Sequence, residues 1–240
     1  MPELSILVPT RSRPHNIRPI LNAWYETAAF DDGAELVFLL DEDDSSVWQY
    51  RGEIGRDAHF GSKIHLVTEQ TWLPMVTKLN RWALFHADAG RSMVGFMGDD
   101  HLPRTEHWVR RVSFELTSGG AGIVSSPDGY RPDDLPTWWA MRGDIIRTLG
   151  RMVPAPVQHL YCDNAVRDLA VAANCYGWLE DVLIEHMHPI AGKGLVDDQY
   201  RTVNSAEQYA GDRADYAVWS FQQLGADAAS VIKLREATGG

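Results

Sequence analysis

The chain has 240 residues and a formal net charge of -11, from 33 acidic and 22 basic side chains. This length can bury a core, as one large domain or two closely joined lobes, and the acidic balance offers no overall basic field for nucleic acid. Its two cysteines, Cys162 and Cys175, are too few for a disulfide scaffold and too far apart for a CxxC motif. Because no signal-peptide pattern or membrane-spanning apolar run is visible, we expect a cytoplasmic protein without membrane contact.

Short apolar runs alternate with longer amphipathic segments over the first half of the chain. This alternation predicts βαβ units, and therefore an α/β fold with a mostly parallel sheet. The predicted strands are Leu4–Val8, Leu36–Leu40, Ile64–Val67, Met93–Met97 and Ile123–Ser125. The predicted helices between them are Asn16–Ala29, Val47–Arg56, Leu73–Ala89 and Glu106–Thr117.

The alternation breaks after Ser126. Residues 127–136 are rich in proline, glycine and aspartate, which predicts a surface loop. Beyond this loop the predicted elements are helices at Asp144–Leu149 and Asp163–Ala173, a strand ending in His186-Met187-His188-Pro189, and a helical tail over 212–236. We expect one continuous domain over residues 1–240, with an irregular second half.

Polar loops follow the first two predicted strands, at the sheet edge where α/β proteins place their ligands. The first strand ends in the basic segment Pro9-Thr10-Arg11-Ser12-Arg13-Pro14, which can meet a base, a ribose or a phosphate. This segment has no glycine fingerprint, which argues against a dinucleotide fold. Asp41, after the second strand, can accept hydrogen bonds from a ribose or a base.

Two adjacent acids, Asp99 and Asp100, come directly after the apolar run Met93–Met97. They either cap the helix that starts near Glu106 or bind a cation. His186 and His188 are two residues apart on a predicted strand, so their imidazoles share a face and can complete a metal shell that suits Mn²⁺ better than Mg²⁺. A divalent cation held by carboxylates neutralises diphosphate oxygens, which predicts a nucleoside diphosphate as the ligand.

Segments in the first half of the chain together resemble a known family. These segments are Ser5-Ile6-Leu7-Val8-Pro9-Thr10-Arg11-Ser12-Arg13-Pro14, Leu39-Leu40-Asp41, Lys78-Leu79-Asn80 and Gly98-Asp99-Asp100-His101. They are similar to the nucleotide-sugar half of glycosyltransferases with the GT-A fold, close to family 2. The resemblance implies a Rossmann-like sheet flanked by helices, with a nucleotide-sugar-binding half at 1–126 and an acceptor and catalytic half at 127–240.

The resemblance also implies roles for individual residues. Asp100 matches the DxD-type metal motif, Asp99 then faces the sugar or ribose, and Asp41 matches the acid that holds the nucleobase or ribose. Lys78 and Asn80 lie on the helix that flanks the donor. The implied donor contacts are Pro9, Thr10, Arg11, Arg13, Asp41, Lys78, Asn80 and Asp99.

In the second half, the resemblance suggests His188 as a metal ligand, with His186 as the substitute. Lys193, between two glycines, would reach the phosphates from a mobile loop as the leaving group departs. Asp163 is either the base that takes the acceptor proton or an N-cap of the following helix. Of the pair Trp138-Trp139, we expect one in the core and the other in the cleft.

We therefore predict a metal-dependent glycosyltransferase that uses Mn²⁺ or Mg²⁺. It would move a sugar from a nucleoside diphosphate, with UDP expected, to a hydroxyl of a glycan, a protein or a modified DNA base. One alternative is a haloacid-dehalogenase-like phosphatase with Asp41 as nucleophile, Asp43 as acid and Lys78 as charge stabiliser. The other is a non-catalytic sugar-nucleotide-binding protein, which would keep Asp41 but not need Asp163 or Lys193.

Overall fold

The computed structural model describes residues 4–56, 62–70, 72–131 and 133–238. The strands are β1 (Leu4–Pro9), β2 (Ala34–Asp41), β3 (Ile64–Glu69), β4 (Met93–Phe96), β5 (His101–Pro103), β6 (Ile123–Ser125), β7 (Trp139–Arg142), β8 (Tyr176–Trp178) and β9 (Ile184–His186). The helices are α1 (Ile17–Glu26), α2 (Val47–Gly55), α3 (Met75–Asp88), α4 (Trp108–Thr117), α5 (Gly143–Leu149), α6 (Cys162–Ala172), α7 (Asp198–Val203), α8 (Ala206–Gln222) and α9 (Leu224–Thr238).

The central sheet has the strand order β3-β2-β1-β4-β7-β6-β8. β1 pairs in parallel with β2 and β4, and β2 pairs in parallel with β3. β7 runs antiparallel between β4 and β6, and β8 pairs in parallel with β6. The mostly parallel α/β sheet predicted from the sequence is therefore confirmed, and the carboxyl ends of β1, β2 and β4 meet at one edge.

Hydrophobic side chains cover both faces of this sheet. Along β1 the side chains alternate: Leu4 and Ile6 pack in the core on one face, and Leu7 packs in the core on the other. The same alternation separates Trp139, the first residue of β7, from Trp138 directly before it. Trp138 packs edge-on against Trp108 of α4, at 5.9 Å between ring centroids, whereas Trp139 lies 4.5 Å from Phe96 on the opposite face.

The strand predicted to end at His186–Pro189 corresponds to β9. β5, β7 and β8 were not predicted, because runs of three or four residues cannot be distinguished from buried helix by periodicity. β5 and β9 form a separate antiparallel pair, in which His101 lies opposite His186. The helical tail is confirmed, but it is divided between α8 and α9. In the described part of the chain, no helix combines the length and apolar character that a bilayer crossing requires.

Candidate active site

A cleft of about 670 Å³ opens at the carboxyl ends of β1, β2 and β4. The sequence-predicted site residues that line it are Pro9, Thr10, Arg11, Arg13, Asp41, Lys78, Asp99, Asp100, Asp163, His186 and His188. They come from distant parts of the chain, because parallel strands deliver the residues that follow them to the same edge of the sheet. Trp139 also lines the cleft, so it is the tryptophan of the pair that reaches it.

A buried ion pair lies where β2 ends. Asp41 and Lys78 are 2% and 3% exposed, and Lys78 Nζ lies 2.6 Å from Asp41 Oδ1. Arg11 Nη1 donates to the other carboxylate oxygen at 3.2 Å and also donates to Asp43 at 2.6 Å. Removing one partner of so buried a pair leaves an uncompensated charge, so the pair holds its geometry firmly. The cleft therefore presents a fixed carboxylate between two cations at this end.

Asp99 connects the loop after β4 to the loop after β1. Thr10 Oγ1 donates to Asp99 Oδ2 at 2.7 Å, and Arg13 Nη1 donates to Asp99 Oδ1 at 3.1 Å. Arg13 also donates to Asp197, before α7, at 2.6 Å. Burial and the neighbouring charge of Asp100 raise the pKa of Asp99 to about 6, although Arg13 and Thr10 oppose this shift. Arg13 thus joins the sheet edge to the C-terminal half.

Asp100 lies between two histidines. Asp100 Oδ1 is 3.2 Å from His101 Nδ1, and Asp100 Oδ2 is 3.4 Å from His186 Nε2. The two imidazole rings stack, with centroids 4.2 Å apart. Burial opposes ionisation of Asp100, but the contacts with both histidines hold its pKa well below the usual range. Burial opposes protonation of His186, but its contacts with Asp100 and Asp128 raise its pKa to about 9.

These three side chains can hold a metal. Each offers one ligand atom, and the ligand atoms lie within 4.8 Å of one another. Among the described residues, the buried His101 Nε2 and His186 Nδ1 make no hydrogen bond. One carboxylate and two imidazoles suit a divalent transition metal such as Mn²⁺. His101 Nδ1 already accepts from the Gly98 backbone N–H at 3.1 Å. Of the two imidazole nitrogens that face Asp100, His186 Nε2 is therefore better placed to bind a metal.

The structure places the two histidines at the end of β9 differently. His188 was expected to share a strand face with His186, but β9 ends at His186 and the chain turns after His188. His188 Nδ1 accepts from the Ile190 backbone N–H at 3.2 Å, and its ring stacks on Tyr130 at 5.1 Å. The candidate metal group contains His186 and not His188. It also contains His101, which sequence reasoning missed because its pairing opposite His186 depends on an unpredicted strand.

Asp163 lies in the first turn of α6 and faces the cleft. Asp163 is not the N-cap of α6, because Tyr161 occupies the cap position with a left-handed φ of 62°. Asp163 Oδ1 instead accepts from the Asn164 backbone N–H at 2.8 Å. Burial raises the pKa of the Asp163 carboxyl above its ordinary value.

Two predicted residues do not line the cleft. The Asn80 side chain accepts from the backbone N–H groups of Met152 and Val153 at 3.0 and 2.7 Å, so it holds the loop after α5. Lys193 Nζ lies 2.7 Å from Glu185 Oε1 and donates to the Gly129 carbonyl at 3.3 Å. Both side chains are therefore engaged elsewhere in this structure.

At the level of sequence, neither a protein-family model nor a curated protein matches the chain. Solved structures do match. The mannosyltransferase PcManGT from Pyrobaculum calidifontis, in complex with GDP-Man and Mn²⁺, is 17% identical with a TM-score of 0.61, over 100% of this chain and 76% of that one. TarS 1-349 from S. aureus, in complex with UDP-GlcNAc, is 12% identical with a TM-score of 0.59, over 99% and 92% of the two chains.

These similarities concern the fold alone, since the sequence identities are 17% and 12%. The chain has the GT-A fold of nucleotide-diphospho-sugar transferases, and the resemblance found in the sequence is confirmed at that level. The similarity extends over the irregular second half as well as the nucleotide-binding first half.

Proposed function

We propose that the protein is a metal-dependent glycosyltransferase that moves a sugar from a nucleoside diphosphate, with UDP expected, to a hydroxyl acceptor. The observation that carries the proposal is the carboxylate and imidazole group of Asp100, His101 and His186 within a cleft at the carboxyl edge of a GT-A sheet. The structurally similar PcManGT and TarS were solved with a nucleotide sugar, and PcManGT also with Mn²⁺.

The polar residues of the cleft fit the parts of such a donor. Asp41 can accept hydrogen bonds from a base or ribose, while Lys78 and Arg11 hold its side chain in place. Thr10 and Arg13 fix the Asp99 carboxylate in the lining of the cleft, where it can accept from a sugar or ribose hydroxyl. Donor binding therefore needs little rearrangement of these side chains, which lowers its entropic cost.

Asp100 and His186, with His101 beside them, would hold the divalent cation. When bound, the cation neutralises the diphosphate oxygens and so stabilises the leaving group. Asp100 is suited to this task because its carboxylate stays ionised between the two imidazoles. Mn²⁺ fits the mixed oxygen and nitrogen donors better than Mg²⁺, which prefers oxygen and water.

In the transfer step, the bond between the anomeric carbon and the diphosphate oxygen breaks, and its electron pair leaves with the nucleoside diphosphate. An acceptor hydroxyl oxygen forms the new bond to the anomeric carbon and gives up its proton. Asp163 is the carboxylate we assign to receive that proton, because it lines the cleft at the start of α6. A direct displacement of this kind inverts the anomeric configuration.

The proposal is tested by incubating the full chain with UDP-glucose, UDP-GlcNAc, UDP-galactose and GDP-mannose, and measuring nucleoside diphosphate release and UDP binding with Mn²⁺ or EDTA. We expect Mn²⁺-dependent release from a preferred donor, and its loss in Asp100→Asn. The matched control is Asp32→Asn, because Asp32 is also buried beside a histidine, His107, but lies outside the cleft.

Other outcomes would contradict the proposal. Donor turnover that is unchanged by EDTA and by Asp100→Asn would exclude the assigned metal site. Hydrolysis of p-nitrophenyl phosphate that depends on Asp41 and Asp43 would favour the phosphatase. Tight UDP-sugar binding with no release, and with no transfer to any hydroxyl acceptor supplied, would favour a binding protein.

A further inference from the structure

His186 lies between two carboxylates that approach opposite sides of its ring. Its Nε2 is 3.4 Å from Asp100 Oδ2, and its Nδ1 is 3.7 Å from Asp128 Oδ2. An imidazole that binds a metal through one nitrogen carries its proton on the other nitrogen. If Nε2 faces the metal, Nδ1–H therefore needs an acceptor. Within the described part of the chain, Nδ1 is buried and makes no hydrogen bond.

Asp128 is built to be that acceptor. It is 2% exposed, and its Oδ1 accepts from the backbone N–H groups of Tyr130 and Arg131, both at 2.8 Å. Its Oδ2 accepts from Thr137 Oγ1 at 3.0 Å and faces the His186 ring. Because Oδ1 is occupied and the side chain is buried, Asp128 cannot turn away from His186 without losing several hydrogen bonds.

The backbone fixes the same pair. The Asp128 carbonyl accepts from the His186 backbone N–H at 2.9 Å, so the two residues are held side by side at the end of β9. Closing the gap between Nδ1 and Oδ2 to a normal hydrogen bond needs a movement of under about 1 Å. A small rotation of the imidazole ring supplies this movement and leaves the chain where it is.

The neighbouring histidines are supported differently. His101 Nδ1 accepts from the Gly98 backbone N–H, and His188 Nδ1 accepts from the Ile190 backbone N–H. In both rings, Nδ1 is therefore an acceptor, and the proton of the neutral form lies on Nε2. His186 faces Asp100 through Nε2 and a second carboxylate, Asp128, through Nδ1, so its Nδ1–H tautomer presents a free Nε2 to Asp100.

We propose that Asp128 is a positioning residue that holds the Nδ1–H tautomer of His186 and thereby directs Nε2 toward a divalent cation shared with Asp100. This inference rests on the proposed function, which supplies the cation. Carboxylates behind metal-binding histidines orient the ring and raise its basicity, and their loss typically costs roughly 10- to 100-fold in metal affinity.

The test measures Mn²⁺ binding directly, by the electron paramagnetic resonance signal of free Mn²⁺, in the full chain without donor. We expect Asp128→Asn to weaken Mn²⁺ binding by about 10- to 100-fold. The affinity for Mg²⁺, measured by its competition with Mn²⁺, should fall less in this variant, because Mg²⁺ binding depends less on the imidazole. Asp32→Asn, the same chemical change at another buried aspartate beside a histidine, should leave the Mn²⁺ affinity unchanged.

A double-mutant cycle separates positioning from a general structural effect. If Asp128 acts through His186, Asp128→Asn adds no further loss of affinity in a His186→Gln background. Equal loss in both backgrounds, or a wild-type Mn²⁺ affinity in Asp128→Asn, would overturn the proposal. If the wild-type chain binds no Mn²⁺ with or without UDP, the metal-dependent function fails together with this role.

The unmodified chain provides a second measurement, in case Asp128→Asn does not fold. With ¹⁵N-histidine labelling and diamagnetic Zn²⁺, nuclear magnetic resonance reports the tautomer of each imidazole. His186, assigned by its loss in His186→Gln, should show a protonated Nδ1 and a metal-bound Nε2. The opposite tautomer would refute the assignment even if Zn²⁺ binds.

Discussion

The two walls of the cleft are built in different ways. The strand-end wall, comprising Thr10, Asp41, Asp99 and Asp100, follows directly from strands that are held by backbone ladders. The C-terminal wall, comprising residues 158–163 and 186–204, is made of loops and short helices. A ladder fixes the first wall through many hydrogen bonds. The second wall is held by a few buried carboxylates, so a single substitution there should displace more of the wall than a substitution in the first.

Asp212 illustrates how the C-terminal wall is held. It is 1% exposed on α8, and its carboxylate accepts from three consecutive backbone N–H groups, of Gln158, His159 and Leu160, at 2.7, 3.0 and 2.7 Å. The loop that leads to Asp163 is thereby bound to a helix more than 40 residues away in sequence. Asp128 and Asp197 likewise accept hydrogen bonds from backbone N–H groups, of Tyr130 and Tyr200 respectively.

The largest effect is expected on the strand-end wall. Asp100→Asn keeps the shape of the side chain but removes the charge that would bind the cation, so donor turnover should fall by roughly 10²- to 10³-fold, the equivalent of several kcal/mol. The melting temperature should change less than the turnover, because the Asp100 side chain is partly exposed and asparagine keeps its shape. Nucleoside diphosphate release and thermal unfolding measure the two effects. A variant as active as the wild type would remove the metal from the mechanism.

Asp163→Asn tests the C-terminal wall. If Asp163 receives the acceptor proton, kcat should fall by about 10²- to 10⁴-fold while UDP binding, measured by calorimetry, is unchanged. A base must be deprotonated, and burial raises the pKa of Asp163, so the wild-type rate should rise with pH through a midpoint above that of an exposed aspartate. The pH profile of kcat/KM measures this rise on its acidic side, the acidic limb.

The same profile contains a control. Asp99, whose pKa is about 6, also titrates in this region, so the acidic limb is assigned to Asp163 only if it disappears in Asp163→Asn. If Asp163→Asn keeps most of the activity, a retaining route or another base becomes the better account.

Asp212→Asn should have a smaller effect on chemistry and a clear effect on stability. The amide can still accept through its oxygen, but it leaves at least one buried N–H of the loop poorly paired, which costs about 1 to 3 kcal/mol. Urea unfolding measures that loss. Because the loop leads to Asp163, kcat should fall modestly and Mn²⁺ affinity should not change. Unaltered stability would mean that the loop holds its position without α8.

The contrast between the walls also explains what the sequence could predict. Asp41, Asp99 and Asp100 follow apolar runs long enough to identify as strands, so their convergence at one sheet edge could be inferred. His101 could not, because its partnership with His186 depends on pairing between two three-residue strands far apart in the chain. Asp128 and Asp212 were missed for a related reason: a buried aspartate that accepts loop N–H groups has no sequence period.

Lys193 tests the weakest part of the sequence reasoning and should give the smallest effect. The glycines around it predicted a mobile loop that reaches the phosphates, but its ammonium instead pairs with Glu185, and neither residue lines the cleft. A partly exposed pair of this kind contributes about 0 to 1 kcal/mol, so Lys193→Met should change stability and donor turnover little. A 100-fold fall in kcat with unchanged stability would show that the loop moves during turnover and that Lys193 leaves Glu185 for the diphosphate. Glu185→Gln would then raise kcat, because it would release Lys193.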